Sequence, residues 1–510
     1  MQVLLIYFFT DILQRAQTTQ LLSVDKENGP ENVPLNDLGH DECWDQEEEE
    51  ELDDKQLMVA GHVILERESP PTPPLNLHSL GVMFLGQGLR QIFDAILLVQ
   101  FMALLISYAL AGSQAYAEVM NIRDMYVIPV FVWILAFAII FALQIIQPVV
   151  SLLTFAKGSL LLATVVVTFF VGAAIHHEVK NDFTYSGESF LMGTVALGGI
   201  VNVMPFLYGK IKPIETQVRG FRRAILGGLT TCMILNVLWC WAVLEIVPQQ
   251  NTCFTYLVRH NNSFHSVADT QVAPRRQICS HNLSMESARE DGQISTIPLT
   301  QIIHQLYPAY DWVALLVEVF IMISITVSYL TIGAAMHHTL GGWVDSLWRK
   351  DQLTHYMTRV KQTRKCSLFN SECLCRCFLS LSAFLLIFIV AMLNPKGFES
   401  MLEKIASLFI NLEAGLFVFL MIRKASSGVY GQVMIPLPLS PVVVYLQFTI
   451  PLYFLFAVFY DGFTTVYDTI YGNIPLPWEH KHVIGNTVLV STEDFHSRYL
   501  NSTNLPSTGN

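Results

Sequence analysis

Charge is scarce in this sequence. Only 14% of its 510 residues are Asp, Glu, Lys or Arg, against 52% hydrophobic, and the mean hydropathy is +0.43. An ordinary soluble domain carries about 25% charged residues, so the balance excludes that class and fits a polytopic membrane protein. Also lacking are a nucleophile elbow, a metal-ligand spacing and a phosphate-cradling glycine loop, so neither catalysis, a cofactor nor a metal is expected. No nucleic-acid partner is expected. The opening "MQVLLIYFFTDIL" has too short an apolar run to span, no basic stretch before it and no small-residue cleavage site, which argues against a signal peptide.

What is abundant is apolar runs. Nine approach the roughly 20 residues that cross about 30 Å of hydrocarbon as helix. They are Phe93 to Met120, Tyr126 to Ile146, Leu152 to Ile175, Ser189 to Tyr208, Ala224 to Val247, Trp312 to Met336, Phe378 to Leu393, Ile405 to Ile422 and Val442 to Phe459. The net charge of −12 comes from one place: 17 acidic and 5 basic residues precede Phe93, and the remainder carries 25 of each. Most of the excess is "DECWDQEEEEELDD", Asp41 to Asp54, too polar to bury a core and read as a disordered acidic arm.

Lys and Arg in short loops set sidedness. Lys210, Lys212, Arg219, Arg222 and Arg223 fall in one loop, and Arg349, Lys350, Arg359, Lys361, Arg364, Lys365 and Arg376 in another. Arg423 and Lys424 share that side, whereas the opposite short loops carry only Arg123, Lys180 and Lys396. The expectation is a cytosolic N-terminal region over 1–90, helices over 91–247 and 311–460, and an extracellular or lumenal loop over 248–310 and tail over 461–510. The glycosylation sequons beginning at Asn261, Asn282 and Asn501 all fall on that outer side. Cys253 and Cys279 share the outer loop and could form a disulfide. The juxtamembrane "CLCRC", with Cys366 nearby, reads as reduced thiols, with palmitoylation as an alternative and a zinc site disfavoured by spacing.

Polar side chains at membrane depth are costly and therefore point to function. The fourth run, "GTVALGGIVNVMPFLYGKI", sets Gly198-Gly199 and Asn202 before Pro205, which weakens the helical ladder. Freed backbone groups there can hold a carboxylate, an ammonium or a cation; equally, small residues can simply permit close helix packing. Ser107-Tyr108 in the first run, Thr326 and Ser328 in the sixth, and the carboxyls Glu318 and Glu413 complete the candidates. Hydroxyls spaced at i and i+2 spread around a helix, so one or two at most face a cavity. Adjacent His337 and His338 point about 100° apart, cannot share a metal and are read as interfacial; His176 and His177 are read likewise. "SYALAG" (Ser107 to Gly112) recurs loosely as "SYLTIG" (Ser328 to Gly333) in a run of opposite direction.

"TVSYLTIGAAMHHTLGGWVDSLW", "NPKGFESMLEKIASLFINLEAGLFVFLMI" and "ILGGLTTCMILNVLWCWAVLEIVP" together resemble bacterial tyrosine and tryptophan permeases, in the same order. Those belong with the amino acid/auxin permeases of the amino-acid, polyamine and organocation superfamily. The resemblance implies an all-α, leucine-transporter-like fold of five-plus-five inverted repeats and a further helix. The nine runs would be helices three to eleven of eleven, with the chain starting near the end of the second, at "LLIYFF". It also implies uptake of an amino acid, aromatic or neutral, driven by a proton or Na⁺ gradient across a plasma or endolysosomal membrane. Substrate is expected at Gly198, Gly199, Asn202, Ser107 and Tyr108, and cation or proton coupling at Thr326, Ser328, Glu318 and Glu413. The rival reading is a non-transporting amino-acid sensor or accessory subunit with the same fold.

Overall fold

The computed structural model describes residues 1–27, 75–175, 183, 186–249, 253–257, 275–279, 283–349, 371–397 and 401–471. The acidic arm, the acceptor asparagines of the three sequons, His176-His177, Cys366 and the tail beyond 471 lie outside the described residues.

In lipid every backbone N–H and C=O must be satisfied within the segment, and apolar runs of this length do so as helices. Among the described residues nine helices are long and apolar enough to cross a membrane, one for each run. The ordered chain begins with α1 (Gln2–Glu27), α2 (Leu77–Phe84), α3 (Gln87–Met120), α4 (Asp124–Phe141), α5 (Leu143–Ile175), α6 (Ser186–Gly198), α7 (Ile200–Tyr208) and α8 (Glu215–Ile246). After a hairpin come α9 (Met285–Glu290), α10 (Thr296–Leu306), α11 (Asp311–Arg349) and α12 (Ser371–Leu393). A composite helix α13 over 401–425 and then α14 (Thr449–Tyr471) complete it.

Local chemistry sets several boundaries. The short helix α2 starts at a capping box, the Asn76 side chain accepting from the Ser79 N–H while Ser79 Oγ accepts from the Asn76 N–H. Asn121 ends α3 in the left-handed region at φ 51°, its N–H returning to the last turn, and α4 restarts at Asp124 as an antiparallel neighbour. The second run does not continue to Ile146: α4 stops at Ala142 and α5 begins at once. Pro148 lies inside α5, in its second turn, and leaves the carbonyl four residues earlier without its helical donor.

The first helix was not legible as a membrane element. Asp11, Gln14, Arg15 and Gln17 interrupt its apolar face, yet Leu5, Ile6, Phe8, Phe9, Ile12 and Leu13 are fully buried in the main core. Several of the polar groups are matched. Arg15 Nε donates to Asp11 at 2.8 Å and its Nη1 to the Tyr430 carbonyl at 2.8 Å. Gln14 pairs with the Leu437 peptide at 3.2 and 2.9 Å. This helix is thus part of the bundle core.

Helix α13 is irregular. Met401–Ala406 and Glu413–Phe417 are π-helical, separated by an ordinary α turn over Ser407–Leu412. π-bulges inside α-helices recur at functional sites. Gly415, inside the second one, lets α14 approach: a Cβ on it would lie 2.7 Å from Phe454 Cβ.

Two strands, Cys253–Leu257 and Arg275–Cys279, form an antiparallel hairpin whose register sets Cys253 opposite Cys279. This register is the one the expected disulfide needs, although the cysteine side chains lie outside the description.

Candidate functional site

The fourth span is broken where its glycines stand. Helix α6 ends at Gly198, Gly199 caps the next segment, and the Asn202 N–H bonds the Gly199 carbonyl at 3.2 Å in a tight turn before α7 proceeds. The two glycines have different reasons. A Cβ on Gly198 would sit 2.8 Å from Ile410 Cγ2, so Gly198 lets α13 approach; beside Gly199 there is open space. Close helix packing thus accounts for Gly198 and not for Gly199. Pro205, inside α7, leaves the carbonyl four residues earlier without its helical donor.

Around this break, polar side chains from three spans meet in an otherwise apolar bundle. Gln100 of α3 donates through Nε2 to Asn202 Oδ1 at 3.4 Å, and its side chain also hydrogen-bonds the Glu413 carboxylate. Gln100 is fully buried, Glu413 is 2% exposed and Asn202 6%. A second limb starts from the same helices. Asn411 Nδ2 donates to Thr194 Oγ1 at 2.8 Å and to the Ser407 carbonyl at 2.9 Å, which fixes the orientation of its amide. Ser407 in turn hydrogen-bonds Asp461 of α14.

Five atoms of this group are buried without a hydrogen-bond partner among the described residues: Gln100 Oε1, Asn411 Oδ1, Glu413 Oε1, Asp461 Oδ2 and Asn202 Nδ2. A buried polar atom left unpaired costs about 1–3 kcal/mol, so five in one connected group mark a place prepared for something else. Four are acceptors and one is a donor. That set matches an ammonium or other cation beside a group that accepts one hydrogen bond.

The other expected residues are distributed differently. Ser107 lies seven residues beyond Gln100, on the same helix face two turns away, and turns back to the Ala103 carbonyl at 3.0 Å. Tyr108 packs against the apolar core. Neither shares a hydrogen bond with the Asn202 group. Thr326 donates to the Met322 carbonyl at 2.7 Å and contacts the Tyr116 hydroxyl at 3.0 Å. Glu318 stands apart from all of these, 3.5 Å from His304 Nε2.

Ser328 has a partner that sequence reading passed over. Lys157 of α5 donates through Nζ to Ser328 Oγ at 2.9 Å and to the Ser324 carbonyl at 3.4 Å, and Ser328 itself donates to that carbonyl at 2.8 Å. The signal was available, since Lys157 is the only charged residue between Leu152 and Ile175. Gln100 was missed for a weaker reason: one uncharged amide hardly disturbs a long apolar run. The paired histidines diverge as expected, His337 Nδ1 lying 2.8 Å from Ser380 Oγ while His338 stacks on Phe206 with ring centroids 6.0 Å apart.

The two segments of the loose internal repeat share a packing device. A Cβ on Gly112 of α3 would meet Phe131 at 2.6 Å, and one on Gly333 of α11 would meet Ile139 at 2.4 Å. Both helices thus use the repeat's terminal glycine to close on α4. No family model matches the chain, and no curated protein matches it.

Proposed function

We propose that this chain is a secondary active transporter of an amino acid, with the substrate held where α6 breaks into α7 against α3 and α13. The observation that carries this is the set of unpaired buried atoms, four acceptors and one donor, beside an interrupted helix. An α-amino acid presents an ammonium and a carboxylate on one carbon. Glu413 Oε1, Gln100 Oε1 and Asn411 Oδ1 suit the ammonium; Asn202 Nδ2 suits the carboxylate. The inverted-repeat fold and the resemblance to amino-acid permeases belong to the same reading.

Coupling is assigned to a proton. The oxygens that would hold a Na⁺ near the sixth span, Ser328 Oγ and the Ser324 carbonyl, already accept from the Lys157 ammonium. A lysine so placed ties α5 to α11 strongly when protonated and more weakly when it gives up its proton, because charge-assisted hydrogen bonds are about twice as strong as neutral ones, so proton exchange at Lys157 biases two arrangements of the bundle.

The test is flux. The chain reconstituted in liposomes is given each of the twenty amino acids, radiolabelled, under an imposed pH gradient or an imposed Na⁺ gradient. Accumulation of at least one under the pH gradient, abolished by a protonophore, is expected. If no amino acid is bound or accumulated, the reading is wrong; binding without flux replaces it with the sensor reading. Lys157→Met is expected to reduce gradient-driven accumulation to the level of empty liposomes while leaving substrate binding in place. Accumulation unchanged in that variant would remove Lys157 from the coupling step.

A further inference from the structure

One end of the bundle is covered by a cap that the transport site does not use. Helices α9 and α10 and the turn between them lie over α3, α8 and α11, and a second apolar cluster fills the space beneath. Ile294, Ile297, Leu299, Ile302 and Ile303 of the cap pack there with Ala111 and Ala115 of α3 and Val313 and Val317 of α11.

Polar ties hold the cap at its edges. Gln114 of α3 clamps the turn, donating to the Gly292 carbonyl at 2.9 Å and accepting from the Ile294 N–H at 3.1 Å. Asp291 pairs with Lys396 at 3.2 Å, Arg289 with Glu188 at 3.2 Å, and Gln301 donates to Glu118 at 3.1 Å. From α8, Glu245 is engaged by Trp241 Nε1 at 2.8 Å. These involve arginine, lysine or neutral amide and indole donors, which do not titrate near neutral pH.

The remaining tie is of another kind. His304 of α10 sits between two carboxylates of α11: its Nδ1 contacts Asp311 and its Nε2 lies 3.5 Å from Glu318. Asp311 and Glu318 are seven residues apart, on one face of α11. An imidazolium has two N–H donors and can serve both carboxylates. A neutral imidazole has one, so one carboxylate would face a nitrogen lone pair.

We propose that His304 is a proton-operated latch: protonated, it fastens the cap to α11 over the mouth of the bundle, and on losing its proton it releases that edge. Burial works against the charged ring, but the hydrogen bonds and negative charge of Asp311 and Glu318 outweigh it and raise His304 above the ordinary histidine range. The sign follows from that direction. The latch is fully closed below the ordinary histidine value near 6.5 and is lost as pH rises through the raised one. The latch does not depend on what the site below binds.

The experiment uses the full chain in detergent with Ala111→Cys beneath the cap, and reads maleimide labelling of that thiol by peptide mass spectrometry. Each rate is divided by that of the unfolded chain at the same pH, which removes the thiol's own titration. The normalised rate is expected to be on the order of tenfold higher at pH 8 than at pH 5.5. His304→Gln should abolish that ratio. Glu318→Gln should abolish it differently, remaining protected at pH 8, because a Gln amide can donate to the neutral ring nitrogen. A wild-type ratio of one, or a ratio retained in both variants, overturns the latch.

Discussion

Replacing Glu413 with Gln is expected to weaken amino-acid binding by roughly a hundredfold, with Glu413→Asp falling between the variant and wild type. Glu413 is the carboxylate bonded to Gln100, which also binds Asn202 at the α6–α7 break, and its other oxygen has no partner among the described residues. A hydrogen bond between a buried carboxylate and an ammonium contributes about 1.5–3 kcal/mol, and each 1.4 kcal/mol is about tenfold in affinity. The Gln side chain keeps the volume and can still reach Gln100, so the loss reports charge rather than packing. Binding measured by scintillation proximity on the purified chain checks it. Affinity within threefold of wild type would move the ammonium site away from Glu413.

The second large effect concerns stability. Arg15→Ala should lower the thermal unfolding midpoint in detergent by several degrees, corresponding to about 3 kcal/mol. Asp11 and Arg15 are nearly buried, with side chains 8% and 14% exposed, and removing one partner of a buried pair typically costs about 3–5 kcal/mol because the other charge stays behind unpaired. The partly exposed guanidinium argues for the lower end. Its Nη1 also donates to the Tyr430 carbonyl, so α1 loses its tie to the segment after α13 as well. The double variant Asp11→Leu with Arg15→Met leaves no lone charge and should recover most of the midpoint. A single variant that melts like wild type would mean that α1 contributes little to the folded bundle.

These two residues illustrate different kinds of legibility. Glu413 stood out in the sequence because a carboxyl inside an apolar run is expensive wherever it points. Its partners did not: Gln100 and Asn202 are 102 positions apart, and only the packing of α3 against the interrupted helix brings them together. Ser107 shows the converse. It lies on the Gln100 face, but a serine in a helix can satisfy itself on the carbonyl four residues back, and this one does. Asp11 and Arg15, four residues apart, made α1 look too polar for the core; the same spacing lets them pair on one helix face.

By itself the sequence determined that the chain crosses a membrane repeatedly, because hydrocarbon admits only long apolar helices, and each of the nine runs became one. Composition also located the break in the fourth span, since paired glycines and a proline weaken the ladder whatever surrounds them. Tertiary structure decided which polar groups face one another: Gln100 with Asn202 and Glu413, Lys157 with Ser328, His304 between Asp311 and Glu318. Each such contact joins different helices, and their rotation is set by the packing of whole faces, including glycines such as Gly198 that allow close approach. No local pattern along the chain encodes that rotation.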